Sequence, residues 1–333
     1  MIKRRHITKF LPTLLLSSAC VVLGPISSYA QDASAEQQAR EAAEIARSVL
    51  GPKRPIDEAY GAFQTGYYLT ALQLALPRAQ NDDAAAQTLI AELYANGLGV
   101  AQSYARASSW YALADKNGDL NATFQLALLY QNGLGVPKNR QKAAELTKKA
   151  ADGGIMAAVY NLAQLHVEGR YVEPNLGLAA KLFKQAADAN IADAQYDYGN
   201  VLIAGAGVAP NIEDGVYYIG LAATNGNVAA MVEYATFLAQ GKGVPLDLVT
   251  AAQWYEKAAE LGNPVGQARF GRLLATGAGV KKDLIEAAKW RALARKQGLD
   301  DKLLGEMLLG LSPEDLREAE QRASSWPENP LLD

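Results

Sequence analysis

One stretch of this chain recurs at a fixed interval, and that interval limits the fold more than any other feature. Leu-Tyr-Gln-Asn-Gly-Leu-Gly-Val at 129–136 repeats Leu-Tyr-Ala-Asn-Gly-Leu-Gly-Val at 93–100, 36 residues earlier. Its first glycine returns as Gly97, Gly133, Gly169, Gly205, Gly241 and Gly277, five intervals of 36 with no slip. The second returns as Gly99, Gly135, Gly207, Gly243 and Gly279, with Tyr171 standing in its place in the third unit. A period in this range means one supersecondary unit stacked many times. The expected fold is all-α: a right-handed α-solenoid of stacked antiparallel helix pairs.

Each unit splits into two helical halves. In the first, Ala86, Ile90, Leu93 and Tyr94 follow the i, i+4, i+7, i+8 spacing of one helix face. A small residue recurs next to Ile90, as Ala91, Ala127, Ala163, Gly199, Ala235 and Gly271, which predicts two backbones in close approach. The helix is expected to stop at the first glycine, where a left-handed residue is tolerated without a Cβ. Val100, Val136, Val208, Val244 and Val280 follow the turn and can fill the gap between the two helices. In the second half, the place of Trp110 is always large: Leu146, Leu182, Tyr218, Trp254 and Trp290. The place of Ala114 is always alanine: Ala150, Ala186, Ala222, Ala258 and Ala294. Large residues facing alanines predict interlocked helices with the large register buried. A second stop falls at Gly118, Gly154, Gly226, Gly262 and Gly298, with Asn190 in the odd unit.

The pattern Ala-Gln…Leu-Tyr-x-x-Gly-x-Gly-Val…Lys-Ala…Trp-Tyr-x-Lys-Ala-Ala…Gly resembles that of Sel1-like repeats, relatives of the tetratricopeptide repeats. It covers 84–299 as six units, with Thr-Ala-Ala-Gln-Trp-Tyr-Glu-Lys-Ala-Ala-Glu-Leu-Gly at 250–262 a close match. The resemblance extends to periplasmic α-proteobacterial repeat proteins of the kind that regulates rhizobial exopolysaccharide production. It implies protein partners, such as an envelope sensor kinase. A cell-wall module that holds or activates peptidoglycan enzymes is the alternative, and a carboxylate-pair hydrolase a third.

The flanks differ from the array. Met-Ile-Lys-Arg-Arg-His, an apolar stretch at 10–23 and Ser28-Tyr29-Ala30 make a secretory signal peptide over 1–30, cut after Ala30. Lipoprotein processing at Cys20 is the competing reading. The expected destination is the periplasm, with no stable membrane insertion after cleavage. Residues 31–58 form a leader with weak helical spacing, 59–83 a divergent front cap, 300–326 a pair of capping helices and 327–333 a tail. Ser312 is the expected N-cap of the last helix, with Pro313 in its first turn. Cleavage removes Lys3, Arg4, Arg5 and Lys9 and no acid, leaving 28 basic against 35 acidic side chains. That balance argues against nucleic acid as a partner. Cys20 is the single cysteine, so the mature chain has no disulfide and packing alone must hold it.

These inventories also exclude chemistry. The glycine turns follow helices and lack a Gly-Lys-Ser/Thr ending, so they do not form a phosphate loop. His166 is the only histidine after the leader and shares the core-facing register of Tyr94 and Tyr130. Without cysteine, neither a zinc cluster nor a nucleophile–base pair assembles in the usual ways. No catalytic residue, cofactor or metal is expected, and the chain is read as a non-enzyme.

Candidate binding residues are those that vary at fixed register while the packing positions stay constant. One register runs Leu89, Gln125, Asn161, Asp197, Glu233 and Arg269; the other runs Glu92, Leu128, Gln164, Asn200, Thr236 and Arg272. Both lie on one face of the first helices, which line the concave side of such stacks. The candidate stripe is therefore Gln125, Asn161, Gln164, Asp197, Asn200, Glu233, Arg269 and Arg272, and those from Asn161 onward are expected to contribute little to folding. Phe124, Tyr160 and Tyr196 beside it read as core. Arg170 and Tyr171, in the turn that lacks the second glycine, form a second candidate, because a non-glycine at a left-handed site means strain or a changed turn.

Overall fold

The computed structural model describes residues 57–327. The signal peptide, Cys20, the leader up to 56 and residues 328–333 of the tail lie outside the described residues. Those described contain sixteen helices and no strand. A short helix α1 (Glu58–Gln64) and a longer α2 (Tyr68–Gln80) come first. The six units follow as α3 (Ala84–Asn96) and α4 (Tyr104–Lys116), α5 (Leu120–Asn132) and α6 (Arg140–Asp152), α7 (Met156–Glu168) and α8 (Leu176–Asp188). Then come α9 (Ala192–Ala204) and α10 (Ile212–Thr224), α11 (Val228–Gln240) and α12 (Leu248–Glu260), α13 (Pro264–Thr276) and α14 (Leu284–Lys296). Two more, α15 (Lys302–Met307) and α16 (Pro313–Ser324), follow the array. From α1 to α14 each helix packs on the next, while α15 packs on α13 and α16 on α14.

The period arises from identical pieces. All twelve repeat helices are 13 residues long, with seven-residue turns inside units and three-residue turns between them. The first helix of each unit ends on a left-handed glycine, φ between 63° and 76°. At Gly133 the N–H donates to the Leu129 carbonyl at 2.8 Å and closes the last turn. The second glycine has a further reason to lack a side chain. A Cβ on Gly135 would lie 2.1 Å from the Tyr104 carbonyl carbon, so this turn rests on the start of the preceding unit's second helix. Every second helix starts at a side-chain cap, Ser103, Asn139, Asn175, Asn211, Asp247 or Asp283. Among the first helices, α7 and α9 alone begin without one, after Ile155 and Ile191.

The core runs along the array where alanine meets alanine. The Ala114 register is fully buried in all six units, and Ala91, Ala127, Ala163 and Ala235 are buried opposite. Where the fourth unit has Gly199, a Cβ would meet the Gly215 carbonyl oxygen at 2.7 Å, so α9 and α10 pass closer than an alanine permits. The large register departs from expectation. Leu146 and Trp290 are buried, but Trp110 and Trp254 are half-buried. The deeply buried large residues stand one place later, at Tyr111, Phe183, Ile219 and Tyr255. Trp254 instead lies against Tyr234 and under Lys257 at the flank of its unit. Trp290 occupies the same register, but Trp326 covers it edge-on at a centroid distance of 5.0 Å.

Past the array, Ser312 caps α16 in a reciprocal capping box with Asp315. Lys289 is buried between the Trp290 and Trp326 rings, 4.1 Å from each centroid, and pairs with Glu286 at 2.6 Å. These contacts hold α16 against the sixth unit.

Candidate functional site

The two variable registers share the face of α3, α5, α7, α9, α11 and α13, and the structure shows how its polar groups are held. Tyrosines expected in the core supply the hydroxyls. The Tyr160 hydroxyl donates to Asp197 Oδ2 at 2.9 Å, from the third unit to the fourth, and Gln164 Nε2 donates to the same phenol oxygen at 2.8 Å. One unit on, Tyr196 bonds Glu233, with Asn200 beside it. Burial and the neighbouring carboxylate push the Tyr196 hydroxyl up to about 12. The Tyr111 hydroxyl reaches Glu92 at 2.7 Å, and Tyr255 pairs with Thr236 at the matching place at 2.7 Å. Phe124 is buried as expected, and Leu89 is buried too, so the stripe begins beyond it. Gln125 and Asn161 sit half-buried on the same face.

Between α7 and α9 this face opens into a cleft of about 470 Å³. Gln164, Asp197 and Asn200 of the expected stripe line it, together with Val167, Glu168, Phe183, Val201 and Ala206. The sequence reading did not single out those five. Asp197 is half-buried, and burial raises its carboxyl above the usual range against the opposing hydrogen bonds from Tyr160 and Gln164. Among the described residues Asp197, Glu168 and Glu233 form no ion pair. No group of three or more His, Cys, Asp or Glu side chains among the described residues is placed to hold a metal.

Arg272 requires a correction. Its guanidinium grips Asp301 with two bonds of 2.7 Å, and the Asp301 side chain is only 4% exposed. Asp301 in turn caps α15 through the Leu304 N–H at 3.0 Å. Arg272 is therefore a structural tether of the rear cap, not a surface residue that contributes little to folding. Arg269 is exposed and lies within electrostatic reach of Asp301 and Tyr255.

The irregular turn is a changed turn, without left-handed strain at Tyr171. Among the described residues the non-glycines at positive φ are Asp82 and Asn190, the latter as expected. Where Gly135 presses its bare backbone on the start of α4, Tyr171 hydrogen-bonds Arg140 at the start of α6. His166 closes the loop, its Nδ1 donating to the Glu173 carbonyl at 2.8 Å. Its role is a structural hydrogen bond. Arg170 is exposed in the same turn, directly after the α7 end that carries Glu168.

A Sel1 repeat model matches residues 84–119, 120–155, 157–191, 192–227, 228–263 and 264–299. Among solved structures, a protective antigen of uropathogenic Escherichia coli strains superposes with a TM-score of 0.71 at 26% identity over 85% of this chain. The match spans 62% of that protein's length. A Sel1 repeat protein from Oxalobacter formigenes superposes with a TM-score of 0.66 at 28% identity, over 72% of this chain and 99% of that one. No curated protein matches the chain. No described helix is long and apolar enough to cross a membrane.

Proposed function

The chain belongs to the Sel1 repeat family, whose members are generally protein-interaction scaffolds, and we propose that it is a non-catalytic scaffold of the periplasm. A protein partner binds along the face of the first helices, centred on the cleft between α7 and α9. One observation carries this reading. The packing registers keep one size class from unit to unit, whereas this face combines polar groups that vary, carboxylates that form no ion pair among the described residues, and an open cleft. Half-buried tyrosines, Tyr160 and Tyr196, hold Asp197 and Glu233 in place through their hydroxyls, so the face is ordered before any partner arrives. In the finer reading the partner is an envelope protein such as a sensor kinase of an exopolysaccharide pathway. A peptidoglycan enzyme is the outcome that would move the protein to the cell wall.

The test is site-directed photo-cross-linking in living cells, with the cross-linker at 161, 200 or 233 and controls at 142 and 256 on second helices. Stripe positions should capture one envelope protein that the controls do not. Equal capture from both sets would remove the stripe as the binding face. N-terminal sequencing of the exported protein should begin at Gln31; a lipidated Cys20 would place it on a membrane instead.

A further inference from the structure

The cleft between α7 and α9 has a definite chemistry, and its lining contains no Lys, Arg or His. Val167, Val201 and Phe183 supply aliphatic and aromatic wall, while Gln164 and Asn200 supply amides. Asp197 is the recessed acid and Glu168 the exposed one. Tyr160 takes Asp197 Oδ2 and Gln164 also bonds this carboxyl, yet an ionised carboxylate offers about four acceptor sites, so capacity remains. Among the described residues nothing basic is paired with that carboxylate, and burial holds it above the usual range. Glu168 is within electrostatic reach of Arg140, which Tyr171 already engages.

We infer that this cleft receives an arginine side chain from an extended segment of the partner. The inference rests on the scaffold reading above and names the chemistry of its partner. An anion is disfavoured because the lining offers no cation. A lone metal ion is disfavoured because two carboxylates are too few hard ligands for a tight site. A purely apolar side chain would leave Asp197 buried without a counter-charge. A guanidinium answers all three points. Its five donors serve Asp197, the Asn200 carbonyl oxygen and Glu168, its three-carbon stem lies on the valines, and its plane suits the Phe183 ring. Lysine matches the charge but concentrates it at one strongly hydrated point, so it fits a site with dispersed acceptors less well.

The test titrates the full mature protein, isotope-labelled for NMR, with three probes: N-acetyl-arginine methylamide, the lysine analogue, and the citrulline analogue, which keeps the shape and loses the charge. Arginine should shift the Gln164 and Asn200 side-chain amides and the Val167 and Val201 methyls in a saturable way. Citrulline should bind at least about tenfold more weakly, with lysine between them. Asp197→Asn should abolish the arginine shifts while melting at or above the wild-type temperature, because Asn still accepts from Tyr160 and removes a buried charge. Asp197→Ser is the second variant should Asn disturb the cleft. Equal shifts from arginine and citrulline, or unchanged shifts in both variants, would overturn the inference. The two readings fail separately. Unchanged partner capture by Asp197→Asn leaves the scaffold standing and removes the arginine pocket. Arginine shifts without capture from any stripe position keep the pocket and remove the scaffold.

Discussion

Gln195 is 1% exposed, yet both ends of its amide are satisfied. Its Nε2 donates to the Ala187 carbonyl at 3.2 Å, and its Oε1 accepts from Asn225 at 2.8 Å. Gln87 and Gln267 repeat the arrangement with Asn117 and Gln297. Where the buried residue is Thr123, Val159 or Met231 instead, the place 30 residues on holds Gly153, Ala189 or Leu261. The polar pair comes and goes as a pair, because a buried acceptor left alone loses its hydration without replacement. Asn225→Leu alone should therefore destabilise by about 1–3 kcal/mol, and adding Gln195→Met should recover most of that. The double variant reproduces the fifth unit's Met231 and Leu261, and urea denaturation curves of single and double variants that coincide would refute the coupling. Two glycines separate backbone strain from contact in the same way. Gly154 is left-handed with nothing within 4 Å of a built Cβ, and Asn190 already fills that register. Gly154→Asn should stay within about 1 kcal/mol of wild type. Gly135→Asn should cost clearly more in the same melts, since its Cβ would meet the Tyr104 backbone.

The rear cap is the element where one side chain decides docking. Arg272 joins α13 to the start of α15, and removing one partner of a buried pair costs about 3–5 kcal/mol at the fully buried limit. With the Arg272 side chain 30% exposed, Arg272→Ala should fall below that range. Its pH dependence has a definite sign. Burial raises the Asp301 carboxyl, but the Arg272 bonds, the Leu304 N–H and the nearby guanidinium charges outweigh it, so the folded value lies below the unfolded one. The stabilisation is then fully present above about pH 4 and is lost as pH falls through the depressed value. The gap in melting temperature between wild type and Arg272→Ala should be constant from pH 7 to about 5 and shrink towards pH 3. A gap independent of pH would mean that Asp301 is not the partner that matters.

Elements of this kind were unevenly legible. Helix lengths and ends could be read because a left-handed glycine leaves a mark at fixed period. The alanine registers could be read because close packing forbids anything larger. The Arg272 tether was hidden because Asp301 lies beyond the last unit, where the period no longer indicates neighbours. Trp254 looked buried from its register, but one unit's flank is covered only by what packs beside it, and only Trp290 has Trp326. Tyr160 and Asp197 stand 37 residues apart, as do Tyr196 and Glu233, so the hydroxyl ladder was written in the sequence as a diagonal between units. Reading each register by itself assigned those tyrosines to the core and missed the groups that position the stripe.

At the scale of the whole molecule, stability is a sum of units and of the contacts between neighbours, so the array should tolerate loss of a unit where the new neighbours match. Deleting 156–191 removes the third unit and preserves register. Ile155 then stands where Ile191 stood, and Gly207, whose missing Cβ now faces Leu176, would rest on Arg140 at the start of α6. Deleting 264–299 removes the same number of residues, but α15 and α16 would then meet the fifth unit. There Ala235 replaces Gly271, whose added Cβ would lie 2.7 Å from Leu304, and Thr236 replaces Arg272, so Asp301 loses its ion pair. The first deletion should keep the ellipticity per residue and a single cooperative melt. The second should lower the melting temperature further and expose the tryptophan of the rear cap to quenching. Equal melts, or a more severe effect from the first deletion, would contradict nearest-neighbour stacking. Function should divide the other way. The chain without 156–191 lacks Tyr160, Gln164, Val167, Glu168 and Phe183, so it should stay folded and yet fail both to bind the arginine probe and to capture the partner from position 200.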